Sequence, residues 1–226
     1  MSGVKDLSPA RELVRYALKI GAIKLSLSGF RVNNERLLPY FFNPKLLYTG
    51  EGANFLADAY TDVLQYKFGH AEVVYGAMAS IVAMRLVSVE GGRNIGYAFN
   101  CKKENNHDGC SLRQLKDKRV VIIVDDVIGT SESCIEAFAI IHENGGIPIG
   151  GIIMFDQQER VYDSVKKVDK LLSVVQELNE ILKIPFFAAA TLTDLIGVMR
   201  TENKIGGDQI ARSLKLILDY QHQYGI

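Results

Sequence analysis

A run of β-branched residues leads directly into two adjacent acids, and this junction constrains the fold more than any other part of the sequence. Residues 120–124 read Val-Val-Ile-Ile-Val, and Asp125 and Asp126 follow at once. A continuous apolar run of this length is typical of a parallel strand that is covered on both faces. Ligands of open α/β sheets bind at the carboxyl ends of such strands. We therefore expect the acidic pair to lie at a ligand-binding edge.

The loop after the acidic pair has the composition of a phosphate site. Gly129, Thr130 and Ser131 offer backbone N–H groups and hydroxyls just before a predicted helix, whose N-terminus favours anions. Carboxylates beside such a loop suit the hydroxyls of a ribose, or a metal, better than the phosphate itself. A simple helix cap after a strand is the alternative explanation. The segment lacks the P-loop lysine and a GxGxxG motif, so neither common nucleotide motif applies.

Strand and helix patterns alternate along the chain, which predicts an α/β fold with a parallel, doubly wound sheet. The predicted strands of that sheet are residues 72–75, 94–99, 119–124, 148–155 and 185–190. One helix is predicted to begin after Ser8 and end at Gly21, and others to cover 54–66 and 133–144. Two short strands are expected within 30–47, around a polar turn at 32–36.

The composition is that of one cytosolic domain. The 226 residues are 48% hydrophobic, and 26 basic residues balance 26 acidic ones. A chain of this size buries a full core, and its neutral balance argues against nucleic acid or an anionic membrane as a partner. The first residues carry scattered charges and no unbroken apolar stretch. We therefore expect neither a secretory signal nor a membrane span, and a cytoplasmic location.

The three cysteines do not form a disulfide framework, and free thiols are expected. Cys101, His107 and Cys110 are close enough in sequence to suggest zinc, but they offer only three ligands at a spacing that matches no common zinc motif. The polar stretch 101–113 is instead predicted to be a mobile lid or a surface loop. No metal site made by the protein alone is predicted.

Several motifs together resemble one enzyme family. The segment around Asp125 and Asp126 resembles the PRPP-binding motif of the type I phosphoribosyltransferases. Four further motifs, in the same order and at suitable spacing, resemble the orotate phosphoribosyltransferases of that group: Pro39–Asn43, Thr49-Gly50, Tyr97–Asn100 and Phe155–Arg160. The resemblance extends from about Ala10 to the last residue.

This resemblance implies a fold and a reaction. The implied fold is a single domain over residues 1–226, with a parallel sheet flanked by helices and a small N-terminal hood at about residues 1–50. The implied reaction transfers the 5-phosphoribosyl group from PRPP to orotate, giving OMP and pyrophosphate in the synthesis of UMP. The resemblance further implies Mg²⁺ bound mainly through PRPP, and a homodimer in which the lid acts on the neighbouring subunit's site.

The resemblance also implies roles for individual residues. Asp125 and Asp126 hold the ribose hydroxyls, and Lys102 and His107 of the lid act with them in catalysis, supported by Lys103. PRPP is also bound by the segment Val127, Ile128, Gly129, Thr130, Ser131, Glu132 and Ser133, in which residues 129–133 take the 5-phosphate. The base site is formed by Phe41, Phe42, Gly129 and Gln157.

Among the departures from the family pattern, six replace residues whose loss bears directly on activity. A lysine, a tyrosine, a lysine, an arginine, a lysine and an arginine are replaced, respectively, by Asn33, Ala79, Ser80, Cys101, Asn105 and Gln157. Two explanations stay open: an orotate enzyme in which another cation, such as Arg36 or Arg160, substitutes, or a paralogue diverged toward another base or a non-catalytic regulatory role. A purely structural interaction protein would leave the order of the motifs unexplained.

Overall fold

The computed structural model describes residues 8–31, 36–99, 112–123, 132–163 and 168–226. Its strands are β1 Ile23–Arg31, β2 Leu37–Phe42, β3 Val73–Tyr75, β4 Gly96–Ala98, β5 Arg119–Ile123, β6 Ile147–Asp156, β7 Arg160–Asp163, β8 Val168–Ser173 and β9 Phe186–Thr191. Its α-helices are α1 Pro9–Lys19, α2 Gly50–Lys67, α3 Ala79–Ser88, α4 Glu132–Glu143, α5 Val174–Leu182 and α6 Leu192–Tyr224. Short 3-10 helices cover Pro44–Leu47 and Leu112–Leu115.

The chain divides into two compact units. The sheet unit comprises Leu56–Phe155 and Val175–Ala189, and the hood unit comprises Met1–Phe55, Asp156–Val174 and Ala190–Ile226. The hood expected at about residues 1–50 is therefore the first of three sequence segments that pack together. The assignment of the whole chain to one domain stays a prediction.

A five-stranded sheet in the order β4-β3-β5-β6-β9 forms the centre of the sheet unit, and its β3–β4, β3–β5 and β5–β6 pairings are parallel. This confirms the predicted α/β class and all five predicted strands. Val120, Val121, Ile122 and Ile123 are at most 2% exposed, as a central strand covered on both faces requires. The β-branched run thus lies where its composition placed it.

Glycines in β6 allow aromatic rings to approach the backbone of the sheet. A Cβ atom on Gly150 would lie 2.3 Å from the Phe68 ring, and one on Gly151 would lie 2.2 Å from the Phe186 ring. Both rings are buried. Because a methyl group cannot occupy that space, these positions require glycine for packing rather than for an unusual backbone conformation.

The first helix agrees with its sequence signals. Ser8 precedes α1, Pro9 is its first residue, and Gly21 follows with a φ of 73°. Leu13, Val14 and Ala17 are buried, as the apolar face predicted. The Ser8 side chain makes no capping hydrogen bond, so proline at the first position defines the start.

Two antiparallel hairpins belong to the hood unit. Strands β1 and β2 pair with a register shift between Leu25 and Phe30, where Gly29 has a φ of 79°. The expectation of two short strands in this region is confirmed, although β1 begins earlier, at Ile23. The β7–β8 hairpin was not predicted, because its strands are short and contain several charged residues.

Helix α6 folds back between its ends. It contains 33 residues, which would span about 50 Å if straight. Yet the Gln158 side-chain oxygen lies 2.8 Å from the backbone nitrogen of Thr193 near its start, and the Gln158 carbonyl oxygen lies 3.3 Å from the nitrogen of Ile226 just after its end. Gly206 and Gly207, near the midpoint, are residues that weaken helix continuity.

Candidate active site

The carboxyl ends of β3, β4 and β5 are level in the sheet unit. Tyr75 pairs with Ala98 on one side and with Ile122 on the other. The acidic pair Asp125 and Asp126 begins two residues after the end of β5 at Ile123. The predicted strand before the acids is therefore confirmed, while the acids themselves lie outside the described residues.

Gly76 brings the turn after β3 against the end of β5. Its φ is 144°, and a Cβ atom there would lie 2.0 Å from the carbonyl oxygen of Ile123. The Gly76 nitrogen donates to the carbonyl oxygen of Ala98 at 3.0 Å. A larger residue would displace the backbone immediately before the acidic pair, so glycine at this position preserves the shape of the sheet edge.

Helix α3 begins where two departures from the family pattern occur. Ala79 is its first residue and is fully buried, and Ser80 next to it is half-buried. Tyr75, at the end of β3, is also buried, and burial raises the pKa of its hydroxyl, with the carboxylate of Glu136 adding to the shift. The start of α3 thus provides small side chains at this edge.

Helix α4 begins at Glu132, one residue before the start of the helix predicted at 133–144. Glu132 and Ser133 are exposed in the first turn, where an acid is favoured by the helix dipole. Cys134 beneath them is buried, and burial raises the pKa of its thiol from 9.0 to about 11. The thiol is therefore protonated at neutral pH and is a poor nucleophile.

The two phenylalanines predicted for the base site have different environments in the hood unit. Phe41 is 42% exposed, with its ring centroid 5.8 Å from that of Phe30, and Phe42 is 7% exposed. Successive residues of a strand face opposite sides, so Phe42 packs in the core while Phe41 presents its ring outward. A role in base binding stays a prediction for both.

The segment after β6 is held in one conformation within the hood unit. The Asp156 carboxylate accepts from the Gln158 nitrogen at 2.8 Å, and Gln158 has a φ of 54°. The Gln158 side-chain oxygen accepts from the nitrogen and the hydroxyl of Thr193 at 2.8 and 2.7 Å. Gln157, predicted to bind the base, is half-buried between these two fixed residues.

Tyr40 is the fully buried neighbour of this segment. Burial is the main cause that raises the pKa of its hydroxyl, and the carboxylate of Glu159 adds to it. The nearby Gln157 side chain acts on this pKa in the opposite direction. Asp156 is also buried enough that the pKa of its carboxyl is raised. The surroundings of Gln157 thus contain carboxylates and phenols.

Arg36 and Arg160 are engaged in contacts of their own. Arg36 is 6% exposed, lies 3.5 Å from a Glu159 carboxylate oxygen and stacks 4.7 Å from the centroid of the Tyr224 ring. Arg160 donates to the carbonyl oxygens of Gln223 and Tyr224. Both guanidinium groups thus have partners within the hood unit, and a role for either arginine in place of the cation lost at Gln157 stays a prediction.

Much of the predicted site lies outside the described residues. This holds for the lid and acidic-loop residues and for three of the departures: Lys102, Lys103, His107, Asp125, Asp126, Val127, Ile128, Gly129, Thr130, Ser131, Asn33, Cys101 and Asn105. It also holds for Cys110, so the zinc site considered at Cys101, His107 and Cys110 lies outside them as well. Among the described residues, no three His, Cys, Asp or Glu side chains form a metal-binding group. Across the same ranges, no helix carries an apolar stretch long enough to cross a bilayer.

Sequence reasoning did not find the contacts that fix the segment after β6. Gln158 lies within the Phe155–Arg160 motif, but its partner Thr193 and the Glu159 partner Tyr220 belong to no motif that stands out in the sequence. The only local signal is the acid at Asp156 two residues before Gln158, a spacing typical of an Asx turn.

This chain is similar in sequence and fold to known orotate phosphoribosyltransferases. The sequence is 31% identical over 228 aligned positions to an orotate phosphoribosyltransferase of Methylibium petroleiphilum, covering 96% of this chain and 94% of that one. It is 30% identical to orotate phosphoribosyltransferase 2 of Saccharomyces cerevisiae, covering 89% of each. The fold matches the crystal structure of the Francisella tularensis orotate phosphoribosyltransferase with a TM-score of 0.74 at 20% identity, covering 95% of this chain and 100% of that one.

A more distant structure has the same fold. Mycobacterium tuberculosis orotate phosphoribosyltransferase in complex with PRPP matches with a TM-score of 0.54 at 14% identity, covering 83% of this chain and 98% of that one. No family model matches the sequence. The identity to the curated relatives, sustained over nearly the whole length, decides the assignment. This chain belongs to the orotate phosphoribosyltransferase family.

Proposed function

We propose that this protein transfers the 5-phosphoribosyl group of PRPP to orotate, forming OMP and releasing pyrophosphate. The observation that carries the proposal is the edge formed by β3, β4 and β5, where Gly76 contacts the backbone at Ile123 just before the acidic pair. Parallel strands that end level at an open edge form the usual ligand site of an α/β sheet.

The residues after β5 supply the ribose and phosphate contacts in this proposal. Asp125 and Asp126 accept hydrogen bonds from the two ribose hydroxyls, and residues 127–133 bind the 5-phosphate through backbone N–H groups and hydroxyls. Glu132 and Ser133 are at the start of α4, whose N-terminal dipole favours the phosphate. The Glu132 carboxylate is exposed, and this arrangement requires it to point away from the anion.

The cations of the lid stabilise the pyrophosphate leaving group. Pyrophosphate gains negative charge as its bond to the ribose breaks, and Lys102, Lys103 and His107 offset that charge. Mg²⁺, held mainly through PRPP oxygens, supplies further neutralisation when bound. The carboxylates of Asp125 and Asp126 are the oxygen donors that fit such an ion. Phe41, Phe42 and Gln157 bound the base.

We also infer a two-fold homodimer located in the cytoplasm. Phe41, Leu46 and Tyr48 are 42%, 41% and 52% exposed in one segment of the hood unit, which is more apolar surface than an isolated subunit favours. Sedimentation at micromolar concentration should give twice the mass of one chain. A monomer under those conditions would contradict the inference.

Two measurements test the reaction. Titration calorimetry with PRPP and Mg²⁺, with and without orotate, measures binding, and an assay of released pyrophosphate measures turnover. We expect PRPP to bind and orotate to be consumed. Asp126→Asn should weaken PRPP binding by about 1.5–3 kcal/mol, the range for a hydrogen bond to a charged group. Asp117→Asn, at an exposed turn, is the matched control. Unchanged PRPP affinity in Asp126→Asn would show that other residues bind the ribose hydroxyls.

A further inference from the structure

The last residue of the long helix α6 and the two residues after it contact the segment after β6 at three successive positions. The Ile226 nitrogen donates to the Gln158 carbonyl oxygen at 3.3 Å, and Gly225 forms a β-bridge with Glu159. Arg160 donates through Nε to the Tyr224 carbonyl oxygen at 3.4 Å. We call residues 220–226 the strap, and all these contacts lie within the hood unit.

Glu159 is the side chain that anchors the strap. Its carboxylate accepts a hydrogen bond from the Tyr220 hydroxyl and lies 3.5 Å from Arg36. Arg36 also donates to the Arg160 carbonyl oxygen at 3.1 Å and stacks on Tyr224. The carboxylate therefore links Arg36, just before β2, to the strap through a largely buried contact, where hydrogen bonds to charged groups are stronger.

The start of α6 also forms hydrogen bonds with the segment after β6. Thr193 donates twice to the Gln158 side chain, and the capping box of Thr191 and Asp194 fixes the helix start itself. Because α6 folds back, Thr193 near its start and Ile226 just after its end both contact Gln158, the residue next to Gln157. The backbone next to Gln157 is thus held by contacts that are far from it in sequence.

We propose that the strap, anchored by Glu159, is a positioning element for Gln157 in the base site. The proposal rests on the proposed function. An uncharged carboxamide forms directional hydrogen bonds without the long-range attraction of a guanidinium, so its contribution depends on geometry held to within about 0.5 Å. The strap provides that constraint without touching the base.

Two variants separate positioning from folding. Deletion of Gly225 and Ile226 removes the backbone contacts to Gln158 and Glu159, and Tyr220→Phe removes one hydrogen bond to Glu159. We expect the KM for orotate to rise about tenfold in the deletion and about threefold in Tyr220→Phe. The KM for PRPP should stay within about twofold, since the ribose and phosphate contacts are unchanged. Tyr66→Phe, at an 82% exposed position, is the control.

Hydrogen exchange at the amides of residues 157–160 provides a measurement that does not depend on turnover. Faster exchange in both variants, with melting temperatures near that of the unmodified protein, supports the proposal. Unchanged exchange in the deletion variant, or an equal rise of both KM values, overturns it. If the unmodified protein consumes no orotate, the proposed function fails, and exchange together with binding of orotate alone still decides whether the strap positions Gln157.

Discussion

The guanidinium of Arg36 lies 3.5 Å from the carboxylate of Glu159, and the two side chains are only 5% and 16% exposed. The pair joins the residue just before β2 to the residue just before β7 within the hood unit. An arginine that the sequence offered as a candidate ligand for the base is thus part of a buried structural network. Its removal should affect stability before it affects substrate binding.

Arg36→Leu is expected to destabilise the protein by about 3 kcal/mol, because it leaves the Glu159 carboxylate largely buried without its partner. Urea denaturation measures the loss. Arg85→Leu is the matched control, since its ion pair with Asp58 is 43% and 34% exposed and should contribute less than about 1 kcal/mol. Equal losses in the two variants would show that burial of the Arg36 pair has no energetic consequence.

Gly151→Ala should destabilise the sheet unit by about 1–3 kcal/mol, the usual cost of overpacking a core. The added methyl group would lie 2.2 Å from the Phe186 ring, which is 2% exposed and has no room to withdraw. Gly50→Ala is the comparison, because a Cβ there meets nothing within 4 Å. Thermal denaturation of both variants checks the difference, and a neutral Gly151→Ala would mean that the ring relocates.

Stability should decline in alkaline solution partly because of Cys134. Burial raises the pKa of its thiol from 9.0 to about 11, so the folded state keeps the proton to higher pH than the unfolded state does. The resulting stabilisation is fully present below about pH 9 and is lost as the pH rises to about 11, roughly 2–3 kcal/mol in all.

Comparison with Cys134→Ala isolates the thiol. Tyr40 and Tyr75, whose hydroxyl pKa values are also raised by burial, remain in both proteins and titrate in the same direction. We expect the free energy of unfolding to fall less steeply with pH in the variant. Parallel curves from about pH 8 to pH 10.5 would place the alkaline sensitivity elsewhere.

Gln157→Arg combined with Ser80→Lys should improve the use of orotate. Each restored charge-assisted contact is expected to contribute about 1.5–3 kcal/mol, or roughly a 10- to 150-fold lower KM or higher kcat/KM. The unmodified protein should turn orotate over more weakly than its relatives do. Gln114→Arg, at an exposed position, is the control for the single charge that Gln157→Arg adds. Robust turnover by the unmodified protein, with no gain in the double variant, would show that other residues supply these charges.

Periodicity and residue type were sufficient to predict the strands of the sheet unit. The β-branched run 120–124 identified the central strand, and Gly145 marked the end of α4 with a φ of 74°. These features are local, because strand burial and helix termination are encoded within a few residues. The predicted helix at 54–66 is likewise confirmed within α2, although it begins earlier.

The hood unit was harder to predict because its contacts are distant in sequence. Gln158 pairs with Thr193 and Ile226, and Arg36 with Glu159, and no local pattern encodes such pairings. Arg36 looked like a candidate ligand because a charged residue near a family motif suggests function. Its burial depends on aromatic and acidic partners that only the folded chain brings together.

The three-segment composition of the hood unit sets an order for folding during synthesis. Residues 56–155 include β3 to β5 and nearly all of β6, so most of the central sheet has emerged before residues 190–226 are made. The contacts of Arg36 with Glu159 and Tyr224 span up to 188 positions of the sequence. On the ribosome, the N-terminal hairpin must therefore wait for its partners, with its apolar residues accessible to chaperones.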